Sequence, residues 1–289
     1  MIENDIINEE YCRILQSKHF DSEEERDRFI NSLNDDFHTI PVADPLSNAG
    51  RALQMVEAAN WLEESEGTVL VKQALEIDPS CIEAYRYLGD CEVSDSKSLQ
   101  YFIKGITLGR RLFSRDYIKE NRGLFCSIPE TRSFMGCLCG YGNVMELCDI
   151  DEEAIRVYET MISLDIKDHS SIRFPLMLLM IKTNNFKKFA RYEQRFHEES
   201  SIHYLYNRAL CYFKKTGDSK IANDFLDHAL SKNRTVASTL ISISPIKRLP
   251  PVEDTVSMWA TMYSFVAKRY WIRTDGAIKW LRKKLNTLN

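Results

Sequence analysis

The chain has 289 residues, of which 44% are apolar and 28% charged, and its formal net charge is −4. These proportions are ordinary for a globular protein, and the content of only 11 Gly and 8 Pro favours long regular elements. No apolar run reaches the roughly 18 residues of a membrane span, and the first residues lack the basic and then apolar order of a signal peptide. We therefore expect a cytoplasmic protein without a membrane span.

The two ends of the chain differ in charge. Residues 1–40 hold 11 acidic and 4 basic residues, whereas residues 245–289 hold 9 basic and 3 acidic ones. We interpret both ends as solvated, because the bases are spread through an amphipathic helix. The alternative is a basic tail for nucleic acid or anionic lipid. Residues 1–43 are predicted to form a short N-terminal helical extension, since their apolar residues recur at helical spacing.

The segment 44–241 carries a repeat of about 34 residues, which predicts an array of helix pairs. In each pair, a first helix rich in aromatic and small residues is followed by a polar turn and a second helix with small residues at its packing positions. We expect Tyr158 and Tyr206 to be buried between neighbouring helices. The period is visible when packing residues are compared across two repeats: Gly142, Ala154 and Met161 against Leu210, Ala222 and Ala229.

The period is interrupted by about 22 extra residues near positions 109–130. Long insertions in compact proteins are often functional. The apolar residues Leu124 and Phe125 equally favour a structural role, in which the preceding helix runs on and a loop packs back against it. The sequence leaves both interpretations open.

Residues 242–289 are predicted to form a C-terminal helix pair. A proline-rich break precedes an apolar helix that contains Trp259, Met262 and Val266. The closing helix, 274–285, has a basic outer face that suits a terminal cap, because the last face of a repeat array has no neighbour and must be polar. We expect this cap to cover Trp259, Met262 and Val266.

The sequence contains no motif of a common catalytic or cofactor chemistry. No phosphate-binding glycine loop, HExxH, GxSxG or kinase set occurs, so we expect a protein that is not an enzyme and takes no cofactor. The eight cysteines lie mostly beside apolar residues and are expected to be reduced and buried. Cys137 and Cys139 face different sides of one helix and no paired CxxC is present, so no metal site is predicted.

The chain resembles the tetratricopeptide superfamily, most specifically over 79–89, 138–161 and 206–229. More narrowly, it is similar to a family of uncharacterised bacterial tetratricopeptide proteins through its segments 109–113 and 130–135. The resemblance implies an all-α fold: a right-handed α-solenoid of tetratricopeptide-like helix pairs, with the N-terminal helical extension and a C-terminal capping helix. It brings no activity with it.

In tetratricopeptide arrays the first helix of each pair lines a concave groove, which implies candidate peptide-binding residues in this chain. Asn both donates and accepts hydrogen bonds, and Arg grips a carboxylate with two parallel bonds, so both suit an extended peptide. An alternative of equal weight is that the arginines pair with acids of their own chain, namely Glu83, Asp90 or Glu130. The candidate residues are Arg86, Asp90, Arg132, Asn143, Arg173, Tyr204 and Asn207.

Together these observations predict a non-catalytic adaptor that binds a protein or peptide partner in the groove of a helical repeat array. The alternative is a helical repeat that binds nucleic acid, because repeats of related design read RNA bases one per unit. The acidic net charge and the mixed groove weigh against this alternative. Homo-oligomerisation is left open.

Overall fold

The computed structural model describes residues 47–242 and 254–287, and of the first 46 residues only Ser22, Glu25 and Arg28. The chain divides into two compact units, 1–46 and 47–289. The predicted extension over 1–43 therefore lies almost wholly outside the described residues, as does most of the proline-rich break. The second unit holds almost all of the described residues.

The described part of this unit is built from fourteen helices and contains no β-strand, which confirms the prediction of an all-α fold. Across the same residues, no helix combines the length and the apolar character that crossing a membrane requires. The helices are α1 (Asn48–Ala59), α2 (Glu64–Ile77), α3 (Ile82–Cys91), α4 (Asp95–Leu112), α5 (Arg115–Glu120), α6 (Pro129–Leu147), α7 (Asp151–Leu164), α8 (Arg173–Lys182), α9 (Phe186–Arg195), α10 (Ile202–Thr216), α11 (Lys220–Lys232), α12 (Arg234–Ile241), α13 (Thr255–Arg273) and α14 (Ala277–Thr287).

Most helices pack against their neighbours in the sequence. The closest pairs are α1 with α2, α3 with α4, α6 with α7, and α10 with α11, and α6 also packs on both α3 and α4. Helix α13 also packs on helices further back in the chain, because it contacts α8 and α10 as well as its neighbours α12 and α14. Because α13 lies against α8 and α10, the sides of these two helices that it contacts are not accessible to a ligand.

Helix starts are marked by polar side chains that accept hydrogen bonds from the free backbone N–H groups of the first turn. Pro129 begins α6, where its missing N–H costs no hydrogen bond. Gly217 ends α10 with a φ of +67°, a left-handed conformation that glycine adopts without strain. The capping side chains are Ser47, Ser114, Asn185, Ser201, Ser219, Asn233 and Asp254.

Two glycines allow an aromatic ring of the following helix to approach the backbone. A Cβ atom on Gly89 of α3 would lie 2.5 Å from the ring of Phe102 on α4. A Cβ atom on Gly142 of α6 would lie 2.5 Å from the ring of Tyr158 on α7. The same contact thus recurs in two helix pairs, and any larger residue at either glycine would separate the helices. Tyr158 and Tyr206 are fully buried, as predicted.

The segment 109–130 is a packed structural element. Helix α4 runs on to Leu112, the short α5 follows, and the returning loop pairs with the end of α7. The backbone N–H groups of Gly123 and Phe125 both donate to the carbonyl oxygen of Leu164, at 2.8 and 3.1 Å. Four aromatic rings then fill the space beneath the loop: Phe113, Tyr117, Phe125 and Phe134. The insertion therefore has the packed return loop that the structural interpretation of the sequence predicts.

The prediction that the closing helix covers Trp259, Met262 and Val266 is wrong. These side chains remain 45%, 38% and 39% exposed. Helix α13 instead packs through an adjacent side, on which Tyr263 and Trp271 are buried among α10, α12 and α14. This face carries both small residues and aromatic residues with polar groups, so it packs closely while its hydroxyl and indole groups find internal hydrogen bonds.

Candidate functional site

Helix α13 covers much of the surface that the sequence predicts as a peptide groove. Tyr263 donates its hydroxyl hydrogen bond to Oδ1 of Asn207 at 3.0 Å, and Tyr270 donates to Oε1 of Glu146 at 2.7 Å. These two contacts join α13 to α10 and to the end of α6. The candidate residues Tyr204 and Asn207 in this region are buried, as are Met177 and Met180 of α8 and Cys211 of α10.

Two candidate binding residues, Tyr204 and Asn207, are thus satisfied within the protein. Asn207 donates from Nδ2 to the carbonyl oxygen of Phe174 at 3.2 Å while its Oδ1 accepts from Tyr263. The hydroxyl of Tyr204 donates to the carbonyl oxygen of Glu193 at 2.9 Å. Neither side chain can reach a peptide in this arrangement, because both are fully buried and both have their partners.

Arg173 is held by acids of its own chain. Its guanidinium donates to Oδ2 of Asp168 at 2.9 Å and to Oε2 of Glu199 at 2.6 Å, and it lies 4.2 Å from the ring centre of Phe174. Arg173 is therefore paired within its own chain, but with Asp168 and Glu199 and not with the acids that the sequence analysis considered. Arg132 lies apart from it and donates from Nε to the carbonyl oxygen of Cys126 in the insertion loop.

Arg86 lies where α3 meets α6. It donates from Nε to Oε1 of Glu83 at 2.8 Å and from the guanidinium to Oδ2 of Asp90 at 2.5 Å. A Cβ atom on Gly136 of α6 would lie 2.4 Å from Cδ of Arg86, so the aliphatic part of Arg86 can pack here only because residue 136 has no side chain. Pairing with Glu83 and Asp90 is one of the two arrangements that the sequence allows for this arginine. It fixes Arg86 and leaves one carboxylate in excess.

The surface beside Arg86 is the part of the predicted groove that stays accessible. The side chain of Asp90 is 47% exposed and Val93 is 95% exposed. Asn143, also exposed, accepts a hydrogen bond from the hydroxyl of Tyr158 at 2.7 Å. We call this surface the α3–α6 row and define it by six residues: Glu83, Arg86, Asp90, Val93, Cys139 and Asn143.

The α3–α6 row holds two carboxylates, Glu83 and Asp90, that share one cation, Arg86. Partial burial raises the pKa of the Asp90 carboxyl, and the neighbouring Arg86 opposes the rise without cancelling it. The negative charge of Glu83, which also pairs with Arg86, adds to the rise in the pKa of Asp90. A carboxylate with a raised pKa gains stability when a further cation approaches. The row therefore favours a positively charged ligand group.

A second polar cluster, not anticipated from the sequence, lies at the end of α7. The buried Asp165 holds His169 through Nδ1 at 2.8 Å, and the Sγ atom of Cys126 lies 3.5 Å from Oγ of Ser170. Burial raises the pKa of the Cys126 thiol to about 11, so the nucleophilic thiolate is scarce near neutral pH. Among the described residues, no group of three potential ligands could hold a metal ion.

Comparison with protein-family models, with curated proteins and with solved structures finds no match for this chain. What is established about the class of this protein is therefore its all-α fold, and a function is proposed from its exposed surfaces. The resemblance to tetratricopeptide proteins stays a prediction from the sequence.

Proposed function

We propose that the protein is a right-handed, tetratricopeptide-like helical repeat that acts as a non-catalytic adaptor for a protein or peptide. Support for the repeat comes from the packing of successive helices and from the recurring contact between a glycine and an aromatic ring. A repeat array of this kind offers an extended surface suited to binding a segment of another chain.

The observation that carries the proposal is the accessibility of the α3–α6 row. Helix α13 packs over α8 and α10, which carry other residues of the predicted groove, whereas Asp90, Val93 and Asn143 of the row remain exposed. The binding site that we propose is therefore shorter than the full groove.

The chemistry of the row indicates a partner segment with a lysine or arginine beside an apolar residue. The cation would pair with Asp90, because Arg86 is shared between Asp90 and Glu83, and the apolar residue would cover Val93. The amide of Asn143 could bond to the backbone of the segment. A nucleic acid fits this surface poorly, because the excess carboxylate repels phosphate groups.

The proposal can be tested by panning a random peptide library against the full chain. We expect the selected peptides to be enriched in Lys or Arg next to an apolar residue. Their dissociation constants, measured by fluorescence anisotropy, should rise by about tenfold or more in the variant Asp90→Lys/Val93→Ser, since both anchoring groups are lost.

A matched control is available on α2, where Val69 is 56% exposed and Glu76 is exposed as well. The variant Val69→Ser/Glu76→Lys makes the same chemical change outside the row and should bind the selected peptides like the unchanged protein. Peptides that bind both variants equally well would show that the row is not the binding site.

A further inference from the structure

Helix α9 presents a row of exposed basic residues on a surface separate from the α3–α6 row. Lys187, Arg191 and Arg195 are spaced four residues apart, which places them on one side of the helix, and all three are exposed. We call them the α9 basic stripe. At 1.5 Å of rise per residue, neighbouring members lie about 6 Å apart along the helix axis.

The charge of this stripe is not neutralised by the described part of the protein. None of its three residues has a carboxylate within ion-pair distance among those residues; Arg195 donates instead to the carbonyl oxygen of Ile166, at 3.2 Å, and lies 5.1 Å from the ring centre of Phe196. The single acid of α9, Glu193, points away and is engaged by Arg208 at 2.7 Å and by the hydroxyl of Tyr212. An uncompensated positive surface of this kind attracts anionic partners.

A cavity of about 260 Å³ lies at the C-terminal end of the stripe. Arg173 contributes to its wall but is already paired with Asp168 and Glu199. The remaining carboxylate of the wall belongs to Glu198, which is 91% exposed and lies 3.8 Å from Nε2 of His197. Lys167 and Arg195, the other two cations of the wall, have no carboxylate within ion-pair distance among the described residues. The wall consists of Lys167, Arg173, Arg195, Phe196, His197, Glu198 and Glu199.

We infer that the α9 basic stripe and this cavity form a docking surface for an extended polypeptide segment with acidic residues at alternate positions. In an extended chain, alternate side chains point the same way and lie about 6.6 Å apart. This spacing matches the roughly 6 Å between successive bases of the stripe. Arg195, which belongs to both features, directs one end of the segment into the cavity.

A single-stranded nucleic acid is the other anion that such a surface could attract, but it fits the stripe less well. Proteins that bind single strands without sequence preference stack bases on accessible aromatic rings. The aromatic residues of α9 lie on its other side: Phe189 is buried, and Phe186 and Tyr192 pack against the core. The stripe itself carries no aromatic side chain. The aromatic ring of the cavity wall, Phe196, already lies against Tyr192 and against the guanidinium groups of Arg173 and Arg195, so it is not free to stack on a base.

The inference can be tested with a fluorescein-labelled peptide of about a dozen residues that alternates Glu and Ser, and with a second peptide that alternates Gln and Ser. We expect the full chain to bind the acidic peptide and not its neutral counterpart, and to lose affinity as salt is raised from about 0.05 to 0.5 M. The variant Lys187→Gln/Arg191→Gln/Arg195→Gln should bind the acidic peptide about tenfold more weakly.

The matched control neutralises three exposed lysines that have no ion-pair partner in the described part of the chain and do not form a row: Lys72→Gln/Lys97→Gln/Lys119→Gln. This control should bind like the unchanged protein, and both variants should keep its urea midpoint. The inference is overturned if the stripe variant binds the acidic peptide as well as the control does. It is also overturned if single-stranded poly-uridine RNA binds more tightly than the peptide and loses its affinity in the stripe variant.

Discussion

The carboxylate of Glu146 at the end of α6 accepts a hydrogen bond from the hydroxyl of Tyr270 in α13, 124 residues further along the chain. Arg269 pairs with the same oxygen, and the hydroxyl of Tyr158 of α7, whose hydrogen is shared with Oδ1 of Asn143, lies 3.1 Å from the other one. Glu146 is only 5% exposed, so its charge depends on these three partners. The contacts of this carboxylate hold α13 against α6, beside the groove that the sequence predicts for a peptide.

The first prediction concerns this contact. Replacing Tyr270 by Phe removes one donor from a buried carboxylate and should lower the free energy of unfolding by about 1.5–3 kcal/mol. Urea unfolding followed by circular dichroism measures the loss. Tyr192→Phe is the control, because it removes a hydroxyl without an assigned hydrogen bond among the described residues and should cost less than about 0.5 kcal/mol. Equal losses in the two variants would mean that the Glu146 contact contributes nothing specific.

The second prediction concerns Tyr206, which is fully buried and donates to the carbonyl oxygen of Asn233 at 2.7 Å. Its ring lies 5.5 Å from that of Tyr263 and 6.3 Å from that of Trp271. Tyr206→Ala should therefore cost about 3–5 kcal/mol in urea unfolding, because it leaves a cavity among these rings. Tyr206→Phe keeps the ring and should cost about 1–3 kcal/mol through the unsatisfied carbonyl. A loss below about 1 kcal/mol for the alanine variant would contradict this packing.

The helical fold could be predicted from the sequence because its determinants are local. The periodic apolar residues, the capping side chains and the turn at Asn184 and Asn185 all act within a few residues of where they stand. Asn184 indeed adopts a positive φ, and Asn185 caps α9. The pairing of Arg86 with Asp90 could be foreseen for the same reason, since residues four apart on a helix are neighbours.

The course of α13 could not be predicted, because it depends on contacts between distant residues. The hydrogen bond of Tyr263 to Asn207 joins positions 56 residues apart. Helix α13 also carries large apolar residues on both sides, so its pattern does not say which side is buried. Trp259 and Phe265 are as apolar as Trp271, yet they are 45% and 74% exposed while Trp271 is fully buried.

The third prediction is a pH dependence of stability that originates at His203. Its ring stacks on Phe174 at 4.9 Å and meets Tyr263 edge-on at 5.4 Å. Burial, with a smaller contribution from the nearby Arg173, lowers the pKa of His203 to about 4, and Glu199 opposes part of the shift. In the unfolded chain the imidazole has an ordinary pKa of about 6.5.

Between these two pKa values the unfolded chain binds a proton that the folded protein does not, so folding stability falls as the pH is lowered from about 6.5 to 4. We expect His203 to contribute on the order of 2 kcal/mol to this loss. Urea unfolding at about pH 7 and pH 4.5 should show a smaller difference for His203→Phe than for the unchanged protein. An identical difference in both proteins would exclude His203 as the source.

The last prediction concerns the closing helix α14. Trp280 stacks on Phe213 of α10 with ring centres 4.4 Å apart and lies 6.4 Å from the ring of Trp271. Deleting residues 274–289 should therefore expose Phe213 and Trp271 and give an aggregating or markedly less stable protein. Trp280→Ala is the milder version of this change and should cost about 3–5 kcal/mol.

Charge on the outer face of α14 should matter far less than this packing. Lys283 and Lys284 pair with Asp218 and Asp227 at the surface, at 2.8 and 2.9 Å, and such pairs contribute about 0–1 kcal/mol each. Arg282 is exposed, and Arg282→Gln should change the free energy of unfolding by less than about 0.5 kcal/mol. Urea unfolding of the three proteins, Trp280→Ala, Arg282→Gln and the truncated chain, separates the two effects. If the truncated chain kept the urea midpoint of the full chain, the stacking of Trp280 on Phe213 could not be what holds this end of the protein together.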